Sequence, residues 1–359
     1  MKYIGIDARL LFQTGVGTYL QNLLHYIPDY APSHITFTFF CLPQDASFIK
    51  KEVPNSRIRT ITALWHSWGE QTTFLKTIQK DNLDLMHFTY FGHPIFYNRP
   101  FISTIHDVTP LLFSTGKAST KNALFYAIKH CAFSVVLGHQ VYNSKAIITP
   151  TYTVKEQLVR IYGDHVGHKI TPIHEGISYR LFTQKNEENE IPKPYLLYVG
   201  NFYPHKNVKL LISAFAKCNS SYSLVLAGPH DYFLKRLLQT LSLEEKRHLI
   251  VKDRQSLCEL VSLYKHAEAL IHPSISEGFG LPLVEAMHFG IPIIASHIPV
   301  FQELLGTSYY SFDPYEESSI GRAIHTFEDE EIKKKNSLRN DFSFTEMVKK
   351  TMDLYMKNV

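Results

Sequence analysis

The chain has 359 residues, 45% of them hydrophobic and 19% charged, enough for two soluble globular domains with cores of their own. This composition excludes a disordered chain, and no apolar run reaches the ~18 residues a membrane span requires. The net charge of +4 is unevenly spread: residues 1–172 carry 16 Lys and Arg against 10 Asp and Glu, and the rest carry 21 against 23. A basic first half suits an anionic acceptor or the inner face of a membrane as well as ordinary solvated surface. Nucleic acid is not expected, because no basic stripe is interleaved with aromatics.

The opening MKYIGIDARL places Asp7 and Arg9 where a secretory leader needs an unbroken apolar stretch, so a cytoplasmic protein is expected, with peripheral contact to the cytoplasmic membrane left open. In chain order, short apolar runs predict strands at Tyr3–Ile6, Thr36–Phe40, Leu85–Phe88, Phe101–Ile105 and Ala146–Thr149, with a helix over Val16–Tyr26. The polar, proline-ended stretch Thr183–Pro194 reads as a linker. The strand pattern then resumes at Tyr195–Val199, Ser223–Ala227, Leu249–Val251, Ala269–His272 and Pro292–Ala295. Ser343–Lys357 has the spacing of an amphipathic helix. The expected fold class is α/β: a first domain over 1–172, a second over 173–340, and a closing segment, 341–359, packed on one of them.

Four cysteines, Cys41, Cys131, Cys218 and Cys258, lie far apart and predict buried free thiols. Nineteen histidines show none of the spacings that hold zinc, and no D-x-D is present, so no metal is expected.

The most informative stretch is Ser276–Gly290, SEGFGLPLVEAMHFG. A strand ends at His272, a glycine-rich loop follows, and Pro282 suits the first turn of a helix predicted over Leu283–His288 that stops near Gly290. Gly278 and Gly280 bare backbone N–H groups beside a helix start, which carries partial positive charge; together they can hold a phosphate or sugar hydroxyls. Glu277 and Glu285 flank this loop as acceptors for vicinal hydroxyls, at the carboxyl ends of the strands where open α/β sheets bind ligands. The alternative is a capped helix with two surface acids.

HPSISEGFGLPLVEAMHFGIPIIAS resembles the signature of the retaining, nucleotide-sugar-dependent glycosyltransferases of the GT-B fold, family four. IGIDARLLFQTGVGTYLQNLL, STIHDVTPLLF, YLLYVGNFYPHKN, LVLAGP and FSFTEMVKKTMDLY are similar to other parts of that family, and the likeness covers nearly the whole chain, nearest to mannosyltransferase-like members. The resemblance implies two Rossmann-like domains facing across a cleft, the last helix crossing back to the first, the acceptor on the first domain and the donor on the second. It places Glu277 at hydroxyls of the donor sugar, Glu285 at the ribose, the backbone of Phe279, Gly280 and Leu281 at sugar and phosphate, His106 beside the sugar at the reaction centre, and Gly15 and Gly17 at the diphosphate. It implies no cofactor beyond the donor, a nucleotide-diphosphate sugar, with GDP-mannose favoured over a UDP-hexose, its base near Val251–Asp253. The acceptor would be a glycan or lipid-linked hydroxyl in surface polysaccharide synthesis.

These roles have a physical basis. Expelling a diphosphate builds negative charge on the leaving group, and donors fixed in advance towards that charge lower the barrier. Lys206 is the candidate cation. The sequence departs from the family at Asn201, where relatives place an arginine, and at His205, where closer relatives do; His205 would add charge only when protonated. Other readings stay open. Gly15-Val16-Gly17 could begin a dinucleotide site, although Leu20 replaces the third glycine. His106-Asp107 could be a core histidine with a capping aspartate. Glu277 and Glu285 could be a glycosidase pair, and a catalytically silent sugar-nucleotide-binding relative would keep the loop without turnover.

Overall fold

The computed structural model describes residues 1–359 apart from 113–122, 183, 185–190 and 254. The described residues form two sheets, both wholly parallel. The first contains β1 (Lys2–Asp7), β2 (Ile35–Cys41), β3 (Arg57–Thr60), β4 (Leu85–Phe88), β5 (Phe101–Thr104), β6 (Ala146–Thr149) and β7 (Ile170–Pro172), in the order β3-β2-β1-β4-β5-β6-β7. The second contains β8 (Tyr195–Val199), β9 (Ser223–Gly228), β10 (Leu249–Asp253), β11 (Ala269–His272), β12 (Ile293–Ser296) and β13 (Tyr310–Phe312), in the order β10-β9-β8-β11-β12-β13. The central strands β4, β5, β11 and β12 are buried throughout, as strands covered on both faces must be.

Both strand orders reverse beside their first strand, between β1 and β4 and again between β8 and β11. Such a reversal leaves a crevice at the carboxyl ends of the two strands, because their following connections leave towards opposite faces.

Compact units comprise residues 1–176 with 343–359, and 177–342, against the boundaries of 172/173 and 340/341 expected from the sequence. The closing helix, Phe344–Asn358, is capped by Ser343 and buries Phe344, Met347, Val348, Thr351, Met352 and Tyr355, a spacing of three and four that lines one face. That face packs in the first unit against the helix Thr14–Tyr30. Tyr355 and His87 Nδ1 are 2.7 Å apart, and His87 Nε2 lies 2.8 Å from Thr104 Oγ1, so a buried polar chain ties this helix to β4 and β5.

The first helix runs Thr14–Tyr30, longer at both ends than the expected Val16–Tyr26 and continuing through Pro28 in its last turn. Cys41 is buried, but Cys131 is exposed and Cys218 and Cys258 are partly so, which corrects the expectation of four buried thiols; all four are free. The expected linker Thr183–Pro194 falls largely outside the described residues. Among the described residues, no helix is long and apolar enough to cross a membrane, and no group of three or more His, Cys, Asp or Glu could hold a metal.

Candidate functional site

In the second unit, the crevice between β8 and β11 collects most of the residues singled out in the sequence. After β8, the chain passes Gly200 and Asn201 and makes a 3-10 turn, Pro204–Lys206. Asn207 then takes the left-handed conformation (φ 58°) before the helix Val208–Lys217. Asn is among the few non-glycine types that accept this conformation readily. The turn aims Lys206 across the crevice, where its Nζ lies 2.6 Å from Glu277 Oε1.

Glu277 sits in the loop after β11, and two further donors converge on the same oxygen: Ser274 Oγ at 2.7 Å and His272 Nε2 at 3.0 Å. His272 is the last residue of β11 and is 1% exposed; its ring stacks on Tyr198 of β8 at 5.7 Å and meets Phe301 edge-on. Burial opposes the charge on Glu277, but Lys206 and His272 outweigh it and hold the carboxyl well below the usual range. Because the donors gather on Oε1, Oε2 is the oxygen with lone pairs to offer a ligand.

The loop ends at Gly280, whose φ of 107° lies in the region that only glycine enters without strain. The helix follows as Leu281–Phe289, two residues earlier than expected, so Pro282 occupies its second position; Gly290 closes it. Phe279 buries its ring in the core edge-on to Phe342, so only its backbone can serve a ligand. Gly278 and Leu281 flank it in the loop and at the helix start. Glu285 lies one turn into this helix and accepts a 2.6 Å hydrogen bond from Tyr264 at Oε2. Burial raises the pKa of Glu285, and the Tyr264 hydroxyl works against that rise. Tyr264 is fully buried and stacks on Phe289 at 5.2 Å. Nothing in the sequence marked it, since it stands 21 positions before its partner.

His205 adds no positive charge here at neutral pH. Burial and the neighbouring Lys206 lower its pKa to about 4, and its Nδ1 is buried without a partner among the described residues. Asn201 closes its own turn: its carbonyl accepts from Tyr198 at 2.5 Å, and its Oδ1 faces Tyr203 N at 3.5 Å.

The remaining candidates lie in the first unit. His106 follows β5, with Nδ1 3.1 Å from Glu175 Oε1 and Nε2 3.1 Å from the Thr89 carbonyl, so both ring nitrogens are engaged by the protein. Gly15 and Gly17 lie within the first helical turn rather than in a loop before it. Gly17 donates its N–H to Gln13 O at 2.5 Å and is therefore not presenting that amide to a ligand. A Cβ there would stand 2.8 Å from the Leu11 carbonyl, whereas one at Gly15 would meet nothing within 4 Å. Sequence reading missed a buried ion network at the end of β1. Arg9 clasps Asp7 at 2.9 and 2.7 Å, reaches Glu70 at 3.2 Å and covers the Phe74 ring at 3.9 Å.

Residues 182–343 match the family model described as glycosyl transferases group 1. The chain is 31% identical over 274 residues, 76% of its own length and 72% of the relative's, to the O-antigen chain mannosyltransferase RfbU of Salmonella typhimurium. It is 27% identical over 241 residues, 62% of this chain and 60% of the relative, to O-antigen chain mannosyltransferase B of Escherichia coli. Among solved structures, it is similar to sucrose-phosphate synthase from Thermosynechococcus elongatus (TM-score 0.75, 17% identity, 99% of this chain and 98% of that one). It is also similar to Anabaena HepE in complex with UDP-glucose (TM-score 0.71, 14% identity, the whole of both chains). The architecture is thus the GT-B fold, and the chain belongs to the group 1 glycosyl transferases.

Proposed function

We propose that this glycosyltransferase moves a hexose, mannose before others, from a nucleotide-diphosphate sugar to a hydroxyl of a glycan or lipid-linked acceptor, retaining the anomeric configuration and using no metal. The observation that carries this reading is the convergence of Lys206, Ser274 and His272 on one oxygen of Glu277, beside the glycine-opened start of the helix Leu281–Phe289. Glu277 Oε2 would accept from a sugar hydroxyl, while the Lys206 ammonium and the helix start would meet the departing diphosphate. Glu285, held by Tyr264, would take the ribose hydroxyls. Charge that grows on the leaving group would then meet donors already in place, the arrangement that costs least reorganisation. His106, with both nitrogens engaged, would serve as a wall of the acceptor side and not as an acid or base.

Mannose is favoured because RfbU and O-antigen chain mannosyltransferase B are mannosyltransferases by name; HepE in complex with UDP-glucose keeps a UDP-hexose as the second candidate. The basic first half suits an anionic, lipid-linked acceptor or the membrane face that carries it.

A thermal-shift panel of nucleotides and nucleotide sugars identifies the donor, since a ligand that binds only the folded state raises its melting temperature. The chosen donor is then incubated with lipid-linked acceptors, with and without EDTA, and the new linkage is read by NMR. Transfer with retention that survives EDTA is expected. Abolition by EDTA, an inverted linkage, or free sugar released from an aryl glycoside without nucleotide would overturn the corresponding part of the proposal.

A further inference from the structure

A second concavity, of about 660 Å³, opens in the same unit at the carboxyl ends of β12 and β13. Its walls include Ile298, Ser311, Asp313, Tyr315 and His297. It is joined to the site already described through the backbone. Ile275, also on its wall, donates to the His205 carbonyl at 2.8 Å, and Asn207 Nδ2 donates to the carbonyl of Pro314, another wall residue, at 2.7 Å.

The rim is built rather than loose. His297 N donates to Phe312 O at 2.7 Å, Asp313 Oδ1 accepts from Tyr315 N at 2.8 Å, and Asp313 N donates to Ser319 Oγ at 3.0 Å. This turn holds the Tyr315 ring out in solvent, 69% exposed, where an aromatic of this size gains nothing from the core. Gln302 Nε2 lies 2.6 Å from Nε2 of His297 and 3.4 Å from its Nδ1, which holds the ring on the rim.

The chemistry of the walls selects a ligand class. None of the lining residues is a lysine or arginine and one is an aspartate, which disfavours phosphates and other anions. A purely apolar ligand would strip water from Asp313, Ser311 and His297 without replacing those hydrogen bonds. A neutral polyhydroxyl compound with one apolar face fits both: its hydroxyls meet the carboxylate, the imidazole and the serine, and its C–H face lies on Tyr315. Volumes of about 300–1,000 Å³ are usual for small-molecule sites, and this one is large enough for more than one sugar ring.

Position narrows the ligand further. In the order β10-β9-β8-β11-β12-β13, the Glu277 loop follows a central strand, the expected base position at Val251–Asp253 lies on the β10 edge, and the cleft lies on the β13 edge. A donor laid from β10 to the Glu277 loop leaves this half of the crevice unused. We propose that the cleft is an oligosaccharide subsite that holds hexopyranose units of the glycan chain being extended, distal to the acceptor hydroxyl that the family resemblance assigns to the first domain. This rests on the donor assignment above only for the identity of that chain as acceptor.

The test uses the full chain and three variants: Tyr315→Ala, Asp313→Asn and, as a control for the donor site, Glu285→Ala. Binding of mannotriose, maltotriose, a galactotriose and methyl α-mannoside is followed by saturation-transfer NMR and calorimetry, and nucleotide affinity is measured in parallel. The expected result is that a trisaccharide binds more tightly than the monosaccharide. Tyr315→Ala should weaken it about fivefold or more, the size of one lost aromatic contact, without changing nucleotide affinity. A wild-type chain that binds nucleotide but none of the trisaccharides overturns the subsite. So does trisaccharide binding that both cleft variants leave untouched, or a monosaccharide that binds as tightly as the trisaccharides. Saccharide binding that depends on Tyr315 in a chain that binds no nucleotide supports the cleft and instead sinks the donor assignment.

Discussion

Lys206 and Glu277 stand 71 residues apart, yet their separation in space is that of a strong charge-assisted hydrogen bond. Replacing Lys206 by Ala would remove the cation proposed for the diphosphate and strip Glu277 of its nearest counter-charge. Turnover should fall about a hundredfold or more, as when one transition-state donor is lost. Single-turnover kinetics with saturating donor would check it, and a near-normal rate would exclude the phosphate role. Tyr264→Phe is a finer probe, since it deletes one oxygen and leaves the ring stacked on Phe289. A hydrogen bond to a charged group contributes about 1.5–3 kcal/mol, so the melting temperature should fall, and nucleotide affinity should drop about tenfold because Glu285 loses the group that orients it. Titration calorimetry that finds equal affinity would detach Glu285 from the ribose. Glu277, Glu285 and Lys206 were legible because the motif around them is unusual. Tyr264, His272 and Ser274 were not, because a helical tyrosine, a strand-end histidine and a loop serine become partners only when the fold brings them to the acids.

At the scale of elements, buried strands with continuous apolar runs were readable almost to the residue, as Leu85–Phe88, Ala146–Thr149, Tyr195–Val199 and Ala269–His272 show. The strands missed were β3, β7 and β13, each at a sheet edge, where one side has no neighbour and a short run suffices. β3 reads RIRT and is mostly exposed, with Arg57 lying over Tyr3 and Arg59 paired with Asp81, so its pattern carries no apolar signal. The glycines at the first helix start divide by packing. Gly17→Ala would push a methyl to within 2.8 Å of the Leu11 carbonyl and should cost about 1–3 kcal/mol, whereas Gly15→Ala meets open space and should be neutral or slightly stabilising. Urea denaturation of the two variants decides it: equal midpoints would mean that the Leu11 turn yields.

At the scale of the whole molecule, the first unit carries two fully buried histidines, His87 and His93, whose pKa values burial lowers to about 3. Above an unfolded-state value of 6.5, both states are neutral at these sites and stability is untouched. Between 6.5 and about 3, the unfolded chain binds protons that the folded one refuses, so stability falls as the pH is lowered. The slope is about 1.4 kcal/mol per pH unit for each ring. Glu277 adds loss of the same sign at lower pH, since its carboxyl is held below the usual range. Urea unfolding at pH 7 and pH 5 should differ by about 4 kcal/mol from the two rings, and a pH-independent midpoint would show that they are more accessible to protons than their packing indicates. The polar stretch before Tyr195 and the amphipathic spacing of 343–357 were readable in the sequence. The return of the last helix to the first unit followed from the family resemblance and not from the local spacing, since what holds it there includes a hydrogen bond between residues 268 positions apart.

The clasp between Lys206 and Glu277 has a consequence for selectivity. With no ligand bound, the ammonium and the carboxylate cancel one another, so a small free anion gains little by visiting and must compete with an acid already in contact. A compound that brings a pyrophosphate for the lysine together with hydroxyls for the glutamate can compensate both partners for parting, whereas orthophosphate compensates only one. The crevice can thereby stay empty in a phosphate-rich medium and still open to the molecule that carries both halves.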